Sequence, residues 1–149
     1  MTTPLIGLWS LTEFVIQSKS ARHLKRPFGN NPHGFLSYHS SGHMQALLCH
    51  EQRSPFPKDL EHAHAASAED KAQAFNESLS YAGEWTLNDQ EVAHYVQFST
   101  NPQIMGQVLI RRINQLSKDQ LILSYDVSSR SGPIEYILKW QKVSPAECS

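Results

Sequence analysis

The chain has 149 residues, 40% of them hydrophobic, which suits one domain, residues 1–149, built around one core. Thirteen Lys and Arg against 14 Asp and Glu leave a formal net charge of -1, so there is no basic field to gather nucleic acid and no acidic block to solvate a tail. The start, Met1-Thr2-Thr3-Pro4-Leu5-Ile6-Gly7, lacks the charged and apolar regions of a secretory leader, and no apolar run approaches membrane-spanning length. The expectation is a soluble cytoplasmic protein with neither a nucleic-acid nor a membrane partner.

Short apolar-polar alternations separated by turn residues predict an antiparallel sheet with one wet face. The first strand is predicted at Gly7 to Phe14, followed by a basic, irregular loop from Gln17 to His33. Gly34 to His39 and Met44 to His50 read as a hairpin across Ser40-Ser41-Gly42-His43, with Gly42 free to take a positive φ. Cys49 falls in this second arm as a buried thiol, and Cys148 lies in a frayed tail; no metal or redox spacing links them.

Ser67-Ala68-Glu69-Asp70 reads as a capping box in which the Ser67 hydroxyl accepts from the first turn. A helix is predicted from Ala68 to Tyr81, packing Ala68, Ala72, Phe75 and Leu79 on one face and closed by Gly83. Five more strands are predicted: Glu84 to Leu87, Glu91 to Ser99, Met105 to Asn114, Gln120 to Val127 and Pro133 to Val143. In the last, Ile134, Tyr136, Leu138 and Trp140 share one face, so its register is well specified. The fold class is mainly β. Eight consecutive strands with short connections predict a closed up-and-down barrel, with the helix between strands three and four, because closure removes aggregation-prone edges.

Several motifs resemble the lipocalin-like domain family, a bacterial and fungal branch of the calycin barrels. Gly7-Leu8-Trp9 resembles the glycine-any-tryptophan opening of lipocalins. Pro32 to Tyr38 with Gly42-His43-Met44 is similar to the family's first hairpin, and Ala72 to Gly83, with Phe75 and Tyr81, to its helix and exit. Val92-Ala93-His94-Tyr95-Val96, then Asn101-Pro102, Gly106 and Arg111, resembles its most diagnostic block, followed by Leu121-Ile122-Leu123. The longer basic segment Gln17 to Asn31 departs from the pattern, and alternation alone does not choose between Arg111 and Arg112. The resemblance implies a small hydrophobic ligand and, as in some related barrels, a cyclase or isomerase working in natural-product metabolism without a cofactor.

His94 shares a strand face with Val92, Val96 and Phe98. Leaving a buried polar group without a partner costs roughly 1–3 kcal/mol, so His94 is either a core histidine held by tyrosine or backbone, or a pocket residue. In a pocket it serves as acid, base or hydrogen-bond donor. The resemblance implies that Arg111 covers the Trp9 indole at the closed end, as a late-strand arginine does in lipocalin-like barrels; otherwise Arg111 binds a ligand carboxylate or enolate and assists catalysis. Glu13 is a candidate ligand-binding residue, an interior carboxylate on the face of Trp9 and Leu11 if its strand runs regularly, and a bulge would remove it. Tyr38, Val96, Phe98, Tyr136 and Leu138 are candidate ligand-lining residues, and an interior filled by Trp85, Trp140 and Phe98 would leave no room for a ligand. His33, His39, His43, His50, His62 and His64 lack accompanying cysteines and HExxH spacing, so no metal is expected. Two functions stay open, an enzyme that isomerises or cyclises a bound metabolite and a non-catalytic carrier or sensor; a third is a filled barrel acting through its surface or as a homodimer.

Overall fold

The computed structural model describes residues 3–18 and 23–144, so Cys148 and residues 19–22 of the basic loop lie outside the described residues. The described strands are β1 (Gly7–Ser18), β2 (Leu24–Lys25), β3 (His33–Tyr38), β4 (His43–Cys49), β5 (Ser78–Asn88), β6 (Glu91–Ser99), β7 (Val108–Leu116), β8 (Gln120–Ser129) and β9 (Gly132–Lys142). One α-helix, α1 (Ala68–Asn76), is described between β4 and β5.

Each long strand pairs antiparallel with its neighbour, and β1 also pairs with β9 from Trp9↔Lys142 to Ser18↔Ile134. The result is a closed eight-stranded barrel. The two-residue β2 is a flap on the end of β1, with Ile16 opposite Lys25. Inward side chains, among them Leu36, Met44, Leu48, Val92, Leu121 and Leu123, form one buried cluster inside the barrel. Eight strands give an interior just wide enough for packed side chains or one small ligand. No helix among the described residues is long and apolar enough to cross a membrane.

Strict alternation fails at β-bulges. In β1 the register shifts between Leu11 and Glu13, so Thr12 is the extra residue and the following side chains change face. Phe14 turns inward, and Glu13 turns outward to Lys139 at 3.7 Å and Arg26 at 3.8 Å. In β6, Ala82 pairs with Phe98 but Gly83 with Val96, which leaves Gln97 unpaired in the ladder and sends Phe98 outward, 66% exposed. Gly83 permits this crossing, since a Cβ there would sit 1.8 Å from the Tyr95 carbonyl oxygen.

The Ser67 hydroxyl caps α1 by accepting from the Asp70 N–H at 3.1 Å, as the capping box predicts. The helix nevertheless stops at Asn76, well short of Tyr81, and none of its residues is buried. Phe75 is exposed rather than packed. With no apolar face to bury, continuation of the helix loses to a seven-pair ladder with β4, from Cys49↔Ser78 to His43↔Glu84, that starts β5 earlier than predicted. Strand β7 starts later than Met105, because Pro102–Ile104 forms a 3-10 turn and Gly106 takes a φ of +81°. The β3–β4 hairpin turns through Gly42 at a φ of +87°, as predicted. Cys49 is only half-buried.

The end of the barrel near Trp9 is closed by the opening segment. Trp9 is fully buried and its Nε1–H donates to the Leu5 carbonyl at 2.9 Å. Lys142 stands over the indole, with Nζ 4.5 Å from the ring centroid, and donates to the carbonyls of Ile6 at 2.6 Å and Pro4 at 3.1 Å. This gives the Gly-any-Trp motif a physical reason. Gly7 has a φ of +134°, and a Cβ there would lie 2.6 Å from Lys142 Cε.

Candidate functional site

Three strands bring their polar side chains to one point in the barrel. His94 of β6 is 1% exposed; its Nε2 lies 2.6 Å from the Tyr38 hydroxyl of β3 and its Nδ1 lies 2.8 Å from the Tyr81 hydroxyl of β5. Burial pushes the imidazole pKa down to about 3, with the positive charge of Arg111 acting in the same direction. A neutral ring has one N–H and one lone pair, so one tyrosine donates to it and the other accepts from it. Burial likewise raises both tyrosine pKa values, Tyr38 well above the usual range with Tyr81 adding to the rise, while Arg111 opposes it at each. All three groups are therefore uncharged near neutrality.

Arg111, from β7, reaches the same space. Its guanidinium carbon lies 3.7 Å from the Tyr125 ring centroid, a stacking contact on β8. Burial pushes the Tyr125 hydroxyl up to about 12. The adjacent Arg112 faces outward, held by Asp126 at 3.1 Å and Glu135 at 2.9 Å, so the register chooses Arg111 as the interior residue. The Trp9 partner expected of Arg111 is Lys142 instead, which leaves Arg111 committed to the cavity.

That cavity has a volume of about 50 Å³. Leu36, Ala46, Leu48, Leu79, Leu123 and Leu138 form its apolar wall, and Tyr81, His94, Arg111, Tyr125 and Trp140 supply the rest. An apolar void of about 150 Å³ accommodates benzene, so this one takes a smaller body without rearrangement. Trp140 Nε1–H is buried with no hydrogen-bond partner among the described residues. Arg111 and Tyr81 supply donors to the polar part of the cavity, which can hold or polarise an oxygen acceptor. Among the described residues no group of three or more His, Cys, Asp or Glu is arranged to hold a metal ion.

A family model described as a lipocalin-like domain matches residues 6–143, nearly the whole barrel and all of this site. The chain belongs to the lipocalin-like domain family. No curated protein matches it. Among solved structures, the lipocalin-like barrel is similar to a lipocalin-like protein from Bacteroides uniformis, with a TM-score of 0.50 and 15% identity over 95% of this chain and 100% of that one. A redesigned beta barrel aligns with a TM-score of 0.43 and 11% identity over 95% of this chain and 93% of that one. At 15% identity the likeness to the Bacteroides uniformis protein is one of fold.

Of the residues singled out in the sequence, the lipocalin-like barrel brings His94, Arg111 and Leu138 to the cavity wall, with Tyr38 bonded to His94 behind it. Val96 is buried in the barrel but does not line the cavity. Tyr136 lies beside it, stacked on Tyr125 at 4.8 Å and tilted against Phe14 at 6.2 Å. Glu13 and Phe98 do not reach the interior, for the bulges rotate both outward. Tyr81 and Tyr125 were missed. Tyr81 was hidden by assigning it to the helix, although Leu79-Ser80-Tyr81-Ala82-Gly83 already alternates; Tyr125 continues the inward series Leu121, Leu123. Trp140 borders the cavity rather than filling it, and Trp85 packs on Tyr38 with its Nε1–H donating to the His39 carbonyl at 3.0 Å.

Proposed function

We propose that this lipocalin-like protein binds a small, mostly apolar molecule in its barrel and orients it through Arg111 and through Tyr81, which His94 holds in place, as a carrier or sensor does. The observation that carries the reading is the cavity itself, about 50 Å³ of void where leucine side chains meet a buried histidine, an arginine and two tyrosines. Sites for small ligands combine an apolar wall with a few convergent polar groups in this way. Mass spectrometry of molecules extracted from the purified protein tests it, with the extract returned to stripped wild type and to Leu123→Trp, which fills the void. Binding is expected to raise the melting temperature of wild type alone. Equal behaviour of the two proteins would remove the cavity from the account.

A second reading, a cofactor-independent isomerase or cyclase acting on a hydrophobic metabolite or natural-product intermediate, draws on two donors sharing one cavity. Tyr81 and Arg111 can polarise a carbonyl of the bound molecule and stabilise negative charge that develops on its oxygen. His94 then positions Tyr81, because both ring nitrogens are engaged and burial opposes its protonation. The small volume favours isomerisation over cyclisation of a long chain. Conversion of the extracted molecule by wild type, with turnover lost but binding nearly kept in His94→Ala, supports catalysis; unchanged conversion excludes a role for His94.

A further inference from the structure

Protons can be counted in the Tyr38, His94 and Tyr81 cluster. Two hydroxyls and a neutral imidazole carry three donor protons, and the two hydrogen bonds to His94 use two of them. The third belongs to whichever tyrosine accepts from the ring. Neither hydroxyl has another hydrogen-bond partner among the described residues, and Tyr81 lines the cavity whereas Tyr38 does not. The order that strands no proton in the core has Tyr38 donating to His94 Nε2, Nδ1–H donating to Tyr81, and the Tyr81 O–H directed at the cavity.

One more donor shares the space. The Arg111 guanidinium makes one hydrogen bond, to the Ile110 carbonyl at 3.3 Å, and pairs with no carboxylate among the described residues. No carboxylate or amide side chain lines the cavity. A cation or an amine-bearing ligand would meet a positive charge and no good acceptor. Against a single guanidinium, a dianion such as phosphate would keep one charge uncompensated.

Resting on the small-molecule-binding reading above, we infer that the bound molecule is a short monocarboxylate. Its two oxygens accept from Arg111 and Tyr81, and its hydrocarbon body lies against the leucines. The fork of a guanidinium matches a carboxylate edge, and an oxyanion accepts several donors at once. The volume of about 50 Å³ holds the body to a few carbons.

Calorimetric titration of the stripped full-length protein with acetate, ethanol, ethylamine and inorganic phosphate tests the assignment. Acetate is expected to bind at least about tenfold more tightly than ethanol, because only the anion makes a charge-paired, two-oxygen contact with the guanidinium. Arg111→Gln is expected to abolish that preference, whereas Arg112→Gln, on the outer face, keeps it. Should Arg111→Gln fail to fold, Tyr81→Phe removes one donor and keeps the ring; it should weaken acetate roughly three- to tenfold and ethanol by less. Equal binding of acetate and ethanol, a preference that survives Arg111→Gln, or stronger binding of ethylamine or phosphate overturns the carboxylate while the cavity still binds. If none of the four binds but a neutral co-purified molecule does, the carboxylate falls alone. If that extract fails too, both readings fall.

Discussion

A histidine with both nitrogens held by tyrosine hydroxyls is a structural centre before it is anything else, and its protonation state links it to stability. Its folded pKa of about 3 lies below the ordinary value of 6.5 that the unfolded chain retains. As pH falls, the unfolded state therefore takes up the proton first. The contribution of His94 is full above about pH 6.5 and declines as pH drops toward 3. Between pH 6 and pH 4 this amounts to about 2–3 kcal/mol lost from the native state. Carboxylates titrate over part of the same range, so the check is a difference: urea denaturation of wild type and His94→Gln at both pH values. Wild type is expected to lose about 2–3 kcal/mol more than the variant, whose amide does not titrate; parallel losses would mean that His94 is not buried in its neutral form. The burial of His94 was legible from the Val92, His94, Val96 alternation. Its two tyrosine partners were not, because they come from strands whose pairing in space no local pattern records.

Element by element, the sequence shows where strands run but not where they slip. Beta-bulges leave no compositional mark: Thr12 and Gln97 are ordinary strand residues, yet each rotates the remainder of its strand and so decides that Glu13 and Phe98 face water. The glycine beside the second bulge is the one detectable trace. Gly83→Ala is expected to destabilise the barrel by more than about 2 kcal/mol, since its Cβ would overlap the Tyr95 carbonyl, a backbone group that cannot swing aside. Phe75→Ala in α1 is the contrasting case. The same ring at a packed position would cost about 3–5 kcal/mol, but half-exposed on a helix with no buried residue it is expected to cost less than about 1 kcal/mol. Thermal or urea unfolding of the two variants reads both values. A large loss in Phe75→Ala would show that the helix packs after all. The early end of α1 was illegible for a related reason: Leu79 and Tyr81 fit both helical spacing and strand alternation, and only the partner strand β4 resolves the conflict.

At the level of the whole molecule, closure was legible because eight alternating segments with short turns leave two edges that only each other can satisfy, and β1 with β9 does so. How much space closure leaves inside was not legible, since volume depends on how Arg111, Tyr125 and Trp140 pack together. The cavity is thus a balance between the cohesion of the leucine wall and room for a ligand, and one substitution can move it. Leu138→Ala trims that wall and is expected to cost about 2–5 kcal/mol of stability, depending on how far the neighbours collapse. Where they do not collapse, the enlarged void should admit a six-membered ring, so benzoate, too large for wild type, becomes a ligand of the variant. Binding to the native state alone restores stability as the logarithm of ligand concentration, about 2.7 kcal/mol at a hundredfold excess over Kd. Melting temperatures of both proteins with and without benzoate measure this directly. The variant is expected to recover about half or more of its loss at saturation while wild type does not shift. Recovery of both to the same extent would place the ligand on the outer surface, and recovery of neither would mean that the wall closes over the space Leu138 leaves.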